Sequence, residues 1–155
     1  MQLYVNMKYI NIIILSIGFL SVLNSCCTKV ACLGAEDIVR VYFHDFTQDE
    51  LDTIVIISYV KSSNFTILMD STNTQAYPSD DHFSAPTVNK MNTDLDYKIK
   101  LLSNGQVYTL TGFEIKREGC NSCFPYRPES DYFNQLAAYQ VNGQRLEGNQ
   151  IKIHK

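Results

Sequence analysis

Apolar residues in this chain recur at every second position in several short runs, and that period of two restricts what the chain can fold into. Val39, Val41 and Phe43 alternate with Arg40, Tyr42 and His44, the pattern of a strand with one buried face. Phe65, Ile67 and Met69 alternate with Asn64, Thr66 and Leu68; Tyr97, Ile99 and Leu101 with Asp96, Lys98 and Lys100; Ile151 and Ile153 with Lys152 and His154. Residues 51–60 (LDTIVIISYV) are nearly continuous in apolar and β-branched side chains, which predicts a central strand covered on both faces. A helix needs 3.6-residue spacing, and none of these runs sustains it.

Turn signals divide the runs. Asn104-Gly105 and Asn142-Gly143 are dipeptides favoured in type I′ hairpin turns, where both central residues take positive φ. The first predicts pairing of residues 97–102 with 106–116. Within 106–116 the apolar parity changes from Tyr108 and Leu110 to Phe113 and Ile115, and Gly112 sits at the change. A β-bulge there would return both pairs to the core. One short helix is predicted at 130–139, with Ser130 or Asp131 as its cap. Residues 71–93 are polar and contain Pro78 and Pro86, which predicts a long loop with room for a short edge strand. Residues 119–129 read as a second irregular segment. No repeat, linker or βαβ alternation is present. The prediction is an all-β, antiparallel β-sandwich, immunoglobulin-like or transthyretin-like in outline. The Cys…Trp…Cys signature of true immunoglobulin domains is absent, because the chain has no Trp.

Composition narrows the classes. At 155 residues the chain suits one domain, and a charged fraction of 19% with net charge -3 argues against a solvated disordered chain and against a nucleic-acid binder. Ten Tyr and eight Phe supply bulk for a core.

The N-terminus carries an address. Met7-Lys8 is followed by an apolar stretch at 10–23 (INIIILSIGFLSVL). This is short of the ~20 residues a transmembrane helix needs, and it has the length of a signal-peptide h-region. The stretch runs into Leu23-Asn24-Ser25-Cys26. Leu23, Ser25 and Cys26 resemble the bacterial lipobox, in which a small residue gives the peptidase access and the cysteine thiol takes the lipid. The resemblance implies residues 1–25 as signal peptide (with Met7 as an alternative start), 26–36 as a lipidated tether and 37–155 as the sandwich domain. Lipidation falls on Cys26, with palmitate-type acyl chains holding the protein to a membrane.

Together with the strand pattern, the Cys120-x-x-Cys123 pair and the later Tyr139-Gln-Val-Asn-Gly143, these features resemble small Bacteroidetes-type lipoproteins built of one β-sandwich. That resemblance implies cell-envelope residence, outer-membrane attachment facing the periplasm or the surface, and no transferable catalytic residue. It also implies O-glycosylation at Asp-(Ser/Thr)-apolar-or-Thr motifs; Asp52-Thr53-Ile54 and Asp70-Ser71-Thr72 fit, with Thr53 and Ser71 as acceptors.

Setting Cys26 aside leaves Cys27, Cys32, Cys120 and Cys123. In an oxidising compartment this even set reads as disulfides with three connectivities open. Cys32 bridged to Cys120 or Cys123 would staple the start of the domain to a distant loop, stabilising by roughly 4 kcal/mol on the chain-entropy argument. A redox reading wants the CxxC at a helix start, whereas here a strand-like run precedes it and Phe124-Pro125 follows. A zinc reading of the cysteines lacks a nearby His.

Other chemistry is sparse. Asp45, Asp49, Glu50 and Asp52 could offer oxygens to a cation, but no EF-hand loop is present and Thr47 with Glu50 also spells a capping box. Asp80-Asp81-His82 reads as an exposed loop tip. His44 falls on the outward face of a strand, His82 in a loop and His154 at the end of the chain, without a G-x-S-x-G, HExxH or P-loop motif. Phe124, Tyr126, Tyr132 and Phe133 surround the CxxC segment and could form a ligand platform for a sugar or a peptide. The expectation is a non-enzymatic envelope lipoprotein, binding or structural, without metal or cofactor. Its partners are the membrane through the lipid and an envelope protein or glycan. The alternatives are a surface glycan-capture protein and a thiol-redox or other enzyme using Cys120 and Cys123.

Overall fold

The computed structural model describes residues 34–35, 38–119 and 132–155. Apart from Gly119 and Tyr132, these belong to one compact unit made of Leu33–Glu118 and Phe133–Lys155. Its described elements are β1 (Ile38–His44), a 3-10 turn (Gln48–Leu51), β2 (Ile54–Val60), β3 (Leu68–Thr74), β4 (Tyr77–Ser79), β5 (His82–Met91), β6 (Leu95–Leu101), β7 (Val107–Gly119), β8 (Tyr132–Val141), β9 (Gln144–Glu147) and β10 (Ile151–His154). They form a four-stranded sheet of order β10-β1-β5-β4 and a six-stranded sheet of order β3-β2-β6-β7-β8-β9. The fold is all-β and sandwich-like, as the period-two pattern predicts.

The core follows that alternation. Val41 and Phe43 of β1, Ala85 of β5 and Ile151 and Ile153 of β10 are buried from the smaller sheet. Ile54, Ile56, Ile99, Leu101, Tyr108, Leu110 and Phe113 are buried from the larger one. Each such aliphatic or Phe side chain contributes roughly 1.5–3 kcal/mol relative to exposure. Gly112 has φ +61°, and Phe113 is buried beyond it, so the parity change is absorbed there. Ile115, the other residue expected inward, is 46% exposed. Asn142 and Gly143 both take positive φ, 50° and 82°, and join β8 to β9 through paired Val141 and Gln144. At Asn104-Gly105 only Gly105 does so, at 74°. There the N–H of Leu101 donates to the Gln106 carbonyl at 2.9 Å, closing a longer loop than a two-residue turn. The Thr47–Glu50 capping box is formed, with the Thr47 N–H donating to Glu50 Oε2 at 3.0 Å.

Several expectations are corrected. The helix at 130–139 is instead strand β8. Phe133, Leu136 and Tyr139 are three apart and so imitate a helical stripe, but pairing with a neighbouring strand decides the conformation. The sandwich is not wholly antiparallel, because β10 runs parallel to β1. The loop at 71–93 is the end of β3, then β4 and the whole of β5. A ladder satisfies the backbone whatever the side chains are, and edge strands tolerate polar residues and proline, here Pro78 in edge strand β4. Phe65 lies in the β2–β3 turn, and Ile67 and Met69 are 55% and 57% exposed rather than core. Val39 is also exposed, beside a register shift between Ile38 and Arg40. Leu51 belongs to the 3-10 turn and not to β2.

Two tyrosines fasten backbone with their hydroxyls. Tyr97 accepts from the Asn92 N–H at 2.6 Å and donates to the Asn92 carbonyl at 3.0 Å. Tyr139, 1% exposed on β8, accepts from the Lys152 N–H on β10 at 2.7 Å and donates to the Lys152 carbonyl at 3.4 Å. The phenol thus satisfies a backbone group on the edge strand of the opposite sheet. Tyr139→Phe strands that group and should cost about 1–3 kcal/mol. Urea unfolding checks this, and an unchanged midpoint would count against the tie.

Candidate functional site

The outward face of β1 carries Arg40, Tyr42 and His44, opposite in parity to the buried Val41 and Phe43. Register then brings the chain's three histidines together. His44 pairs with His154 in the parallel β1–β10 ladder. On the other side, the antiparallel ladder with β5 places Phe43 against Phe83, and His82 opens β5 at the next step. The result is a row across three adjoining strands. The His44 ring stacks on His154 with centroids 4.8 Å apart and 15° between planes, and lies 5.3 Å from His82 at 32°. Tyr42 meets His82 edge-on at 5.3 Å.

Carboxylates flank the row. Asp81 Oδ1 is 2.8 Å from His82 Nδ1, and Asp45 Oδ2 is 3.6 Å from His154 Nδ1. Both acids sit in the turns next to these strands, with Asp45 and Asp80 at positive φ. His44 Nε2, in the centre, is buried without a hydrogen-bond partner. Burial, then the neighbouring His154 and His82 rings and Lys152, lower the His44 pKa below 6.5; Asp81 opposes them weakly. Asp81 in turn is held below the usual carboxylate range by its hydrogen bond to His82. His154 also borders a groove of about 300 Å³ lined by Tyr108, Val141, Asn142, Gln144 and Leu146. The rings are stacked rather than convergent, and among the described residues no group of three or more His, Cys, Asp or Glu is arranged to hold a metal ion as it stands.

The remaining predicted residues disperse. Asp45 turns to His154, Glu50 to Thr47 and Lys155, and Asp52 accepts from Gln75 Nε2 at 3.0 Å, so these acids make separate contacts. Thr53 is half-buried before β2, its carbonyl accepting from the Leu102 N–H at 3.0 Å. Ser71 lies in β3 rather than in a loop, exposed, with its N–H donating to Asp70 Oδ1 at 2.8 Å. Tyr132 and Phe133 are consecutive in β8, so their side chains leave opposite faces of the sheet. Cys26, Cys27, Cys32, Cys120, Cys123, Phe124 and Tyr126 lie outside the described residues. Another aromatic group, absent from the sequence reading, stands at the β2–β3 turn. Phe65 has φ 58°, and Tyr59 meets it edge-on at 5.3 Å. Lys98 Nζ is 4.6 Å from the Phe65 ring centroid. The rings are nearly perpendicular and do not make a flat platform.

No protein-family model, curated protein or solved structure matches this chain.

The row predicts a pH dependence. His44 favours its neutral form in the fold, so its contribution is full above 6.5 and is lost as pH falls through the lowered value. With a chelator present, unfolding free energy should decline from about pH 8 to about pH 5. His44→Gln should remove part of that slope. Parallel pH profiles for the two proteins would refute the assignment.

Proposed function

We propose that this chain is a non-enzymatic, lipid-tethered module of the cell envelope whose sandwich engages an envelope protein. The observation that carries the reading is the apolar run at 10–23 ending in Leu23-Asn24-Ser25-Cys26, which resembles the address of a bacterial lipoprotein. A binding role draws support from strand β3, at the edge of the larger sheet. Leu68 and Met69 on β3 and the preceding Ile67 are 61%, 57% and 55% exposed. Consecutive large apolar side chains at a strand edge suit addition of a partner strand, with backbone groups supplying affinity and side chains supplying selectivity.

Two measurements test this. Cys26→Ser should abolish acyl labelling and leave an unprocessed precursor, while Cys27→Ser remains acylated; equal labelling of the two variants would sink the lipobox reading. Leu68→Asp, a surface change expected to shift stability by no more than about 0.5 kcal/mol, should remove the envelope protein that crosslinks to the wild type in native membranes. Retention of the same crosslinked species would place the contact elsewhere.

A further inference from the structure

We infer that His44, His82 and His154 are the ligands of a binding site for a divalent, late first-row transition-metal ion, for which zinc is the probe. The three are all the histidines of the chain, and three adjoining strands deliver them to one end of one sheet face. Ligating histidines commonly donate one ring N–H to a carboxylate, which orients the ring and leaves the other nitrogen for the metal. His82 has that arrangement, with Asp81 Oδ1 2.8 Å from its Nδ1; Asp45 lies 3.6 Å from His154 Nδ1, beyond hydrogen-bond distance but near enough to favour the same orientation. The Nε2 atoms of both rings remain for a ligand. On the central ring Nε2 is enclosed and without a partner, an arrangement with a cost that a bound cation would relieve. Imidazole donors select zinc, copper or nickel over magnesium or calcium, which take oxygen ligands.

The geometry requires a small rearrangement. Zinc holds imidazole nitrogens at about 2.0–2.1 Å, whereas the rings stand stacked, with centroids 4.8 and 5.3 Å apart. Neighbouring strands are only about 4.8 Å apart, so the outer rings reach a common point with the central one by turning about their side-chain bonds. His154 is free to do so, with its side chain 58% exposed. Three imidazoles leave a fourth position for water. The ion would pin β10 and the start of β5 to β1, and it would compete with protons for the same nitrogens.

The test is calorimetric titration of Zn²⁺ into the detergent-solubilised full chain near pH 7.5, with Co²⁺ absorption to report the donor atoms. The expected result is one Zn²⁺ per chain, raised thermal stability, and a Co²⁺ spectrum without the near-ultraviolet thiolate band. His44→Ala and His154→Ala should each weaken binding at least about tenfold, and Asp81→Asn about tenfold through loss of the orienting hydrogen bond. Lys152→Ala, which removes a nearby cation, should not weaken it. His154 and Asp81 are exposed, so their variants keep the proposal testable where His44→Ala fails to fold. Absence of binding, unchanged affinity in His154→Ala and Asp81→Asn, or a thiolate band assigning the ion to cysteine would overturn it.

Discussion

The buried phenol of Tyr139 ties the larger sheet to the edge of the smaller one, and much of the sandwich depends on that tie. β10 is a short strand, Ile151–His154, held by a ladder on one side only. Its Ile151 and Ile153 are fully buried, so the core is complete only when this last strand is docked. A bare edge would leave backbone groups facing the opposite sheet unsatisfied, at a cost comparable to a lost hydrogen bond. Tyr139 gives the Lys152 amide and carbonyl their partner, and burial raises the tyrosine's own pKa, so the hydroxyl stays protonated and able to donate. Lys155 completes the docking, its N–H donating to the His44 carbonyl at 3.3 Å and its ammonium lying 2.8 Å from Glu50.

Glu50 therefore serves two purposes. It accepts from the Thr47 N–H in the capping box and pairs with Lys155, and chiefly through the Lys155 contact its pKa falls to about 2. Lys155 is exposed and Glu50 partly so, and the pair's net worth is small in water. Its position matters more than its energy, because it links the turn after β1 to the residue after β10. The same two strands end at His44 and His154.

The fold was legible where alternation was strong. Val41 with Phe43, Tyr97 with Ile99 and Leu101, and Ile151 with Ile153 are buried as their period predicts, since each strand there has one face on the core. The Gly112 irregularity and the Asn142-Gly143 turn were legible for a backbone reason, their need for positive φ. Strands β3 and β4 were not, because an edge strand is stabilised by its ladder and its side chains carry little hydrophobic signal; β5 is internal, but it buries Ser84 and Thr87 beside Ala85 and so also shows little apolar alternation. β8 is not legible from its cap residues, because Ser130 and Asp131 suit a helix start and the pairing that makes a strand is not displayed in a single sequence. The histidine row was invisible for a related reason. His44 was correctly placed on an outward face, but its neighbours are set by β1–β10 and β1–β5 register, between residues over 30 positions apart at the nearest.

Site and fold are thus the same piece of structure. The histidines stand where three strands end, and the strand that closes the core is one of them. A charge on the central imidazole would push against His154 and His82 together, and the contact most easily given up is the short edge strand β10. Local opening concentrates where a strand is short and singly paired. Protonation of His44 would therefore act first on β10 docking, and through Ile151 and Ile153 on the core. Anything that joins the three rings would act on the same strand in the opposite direction.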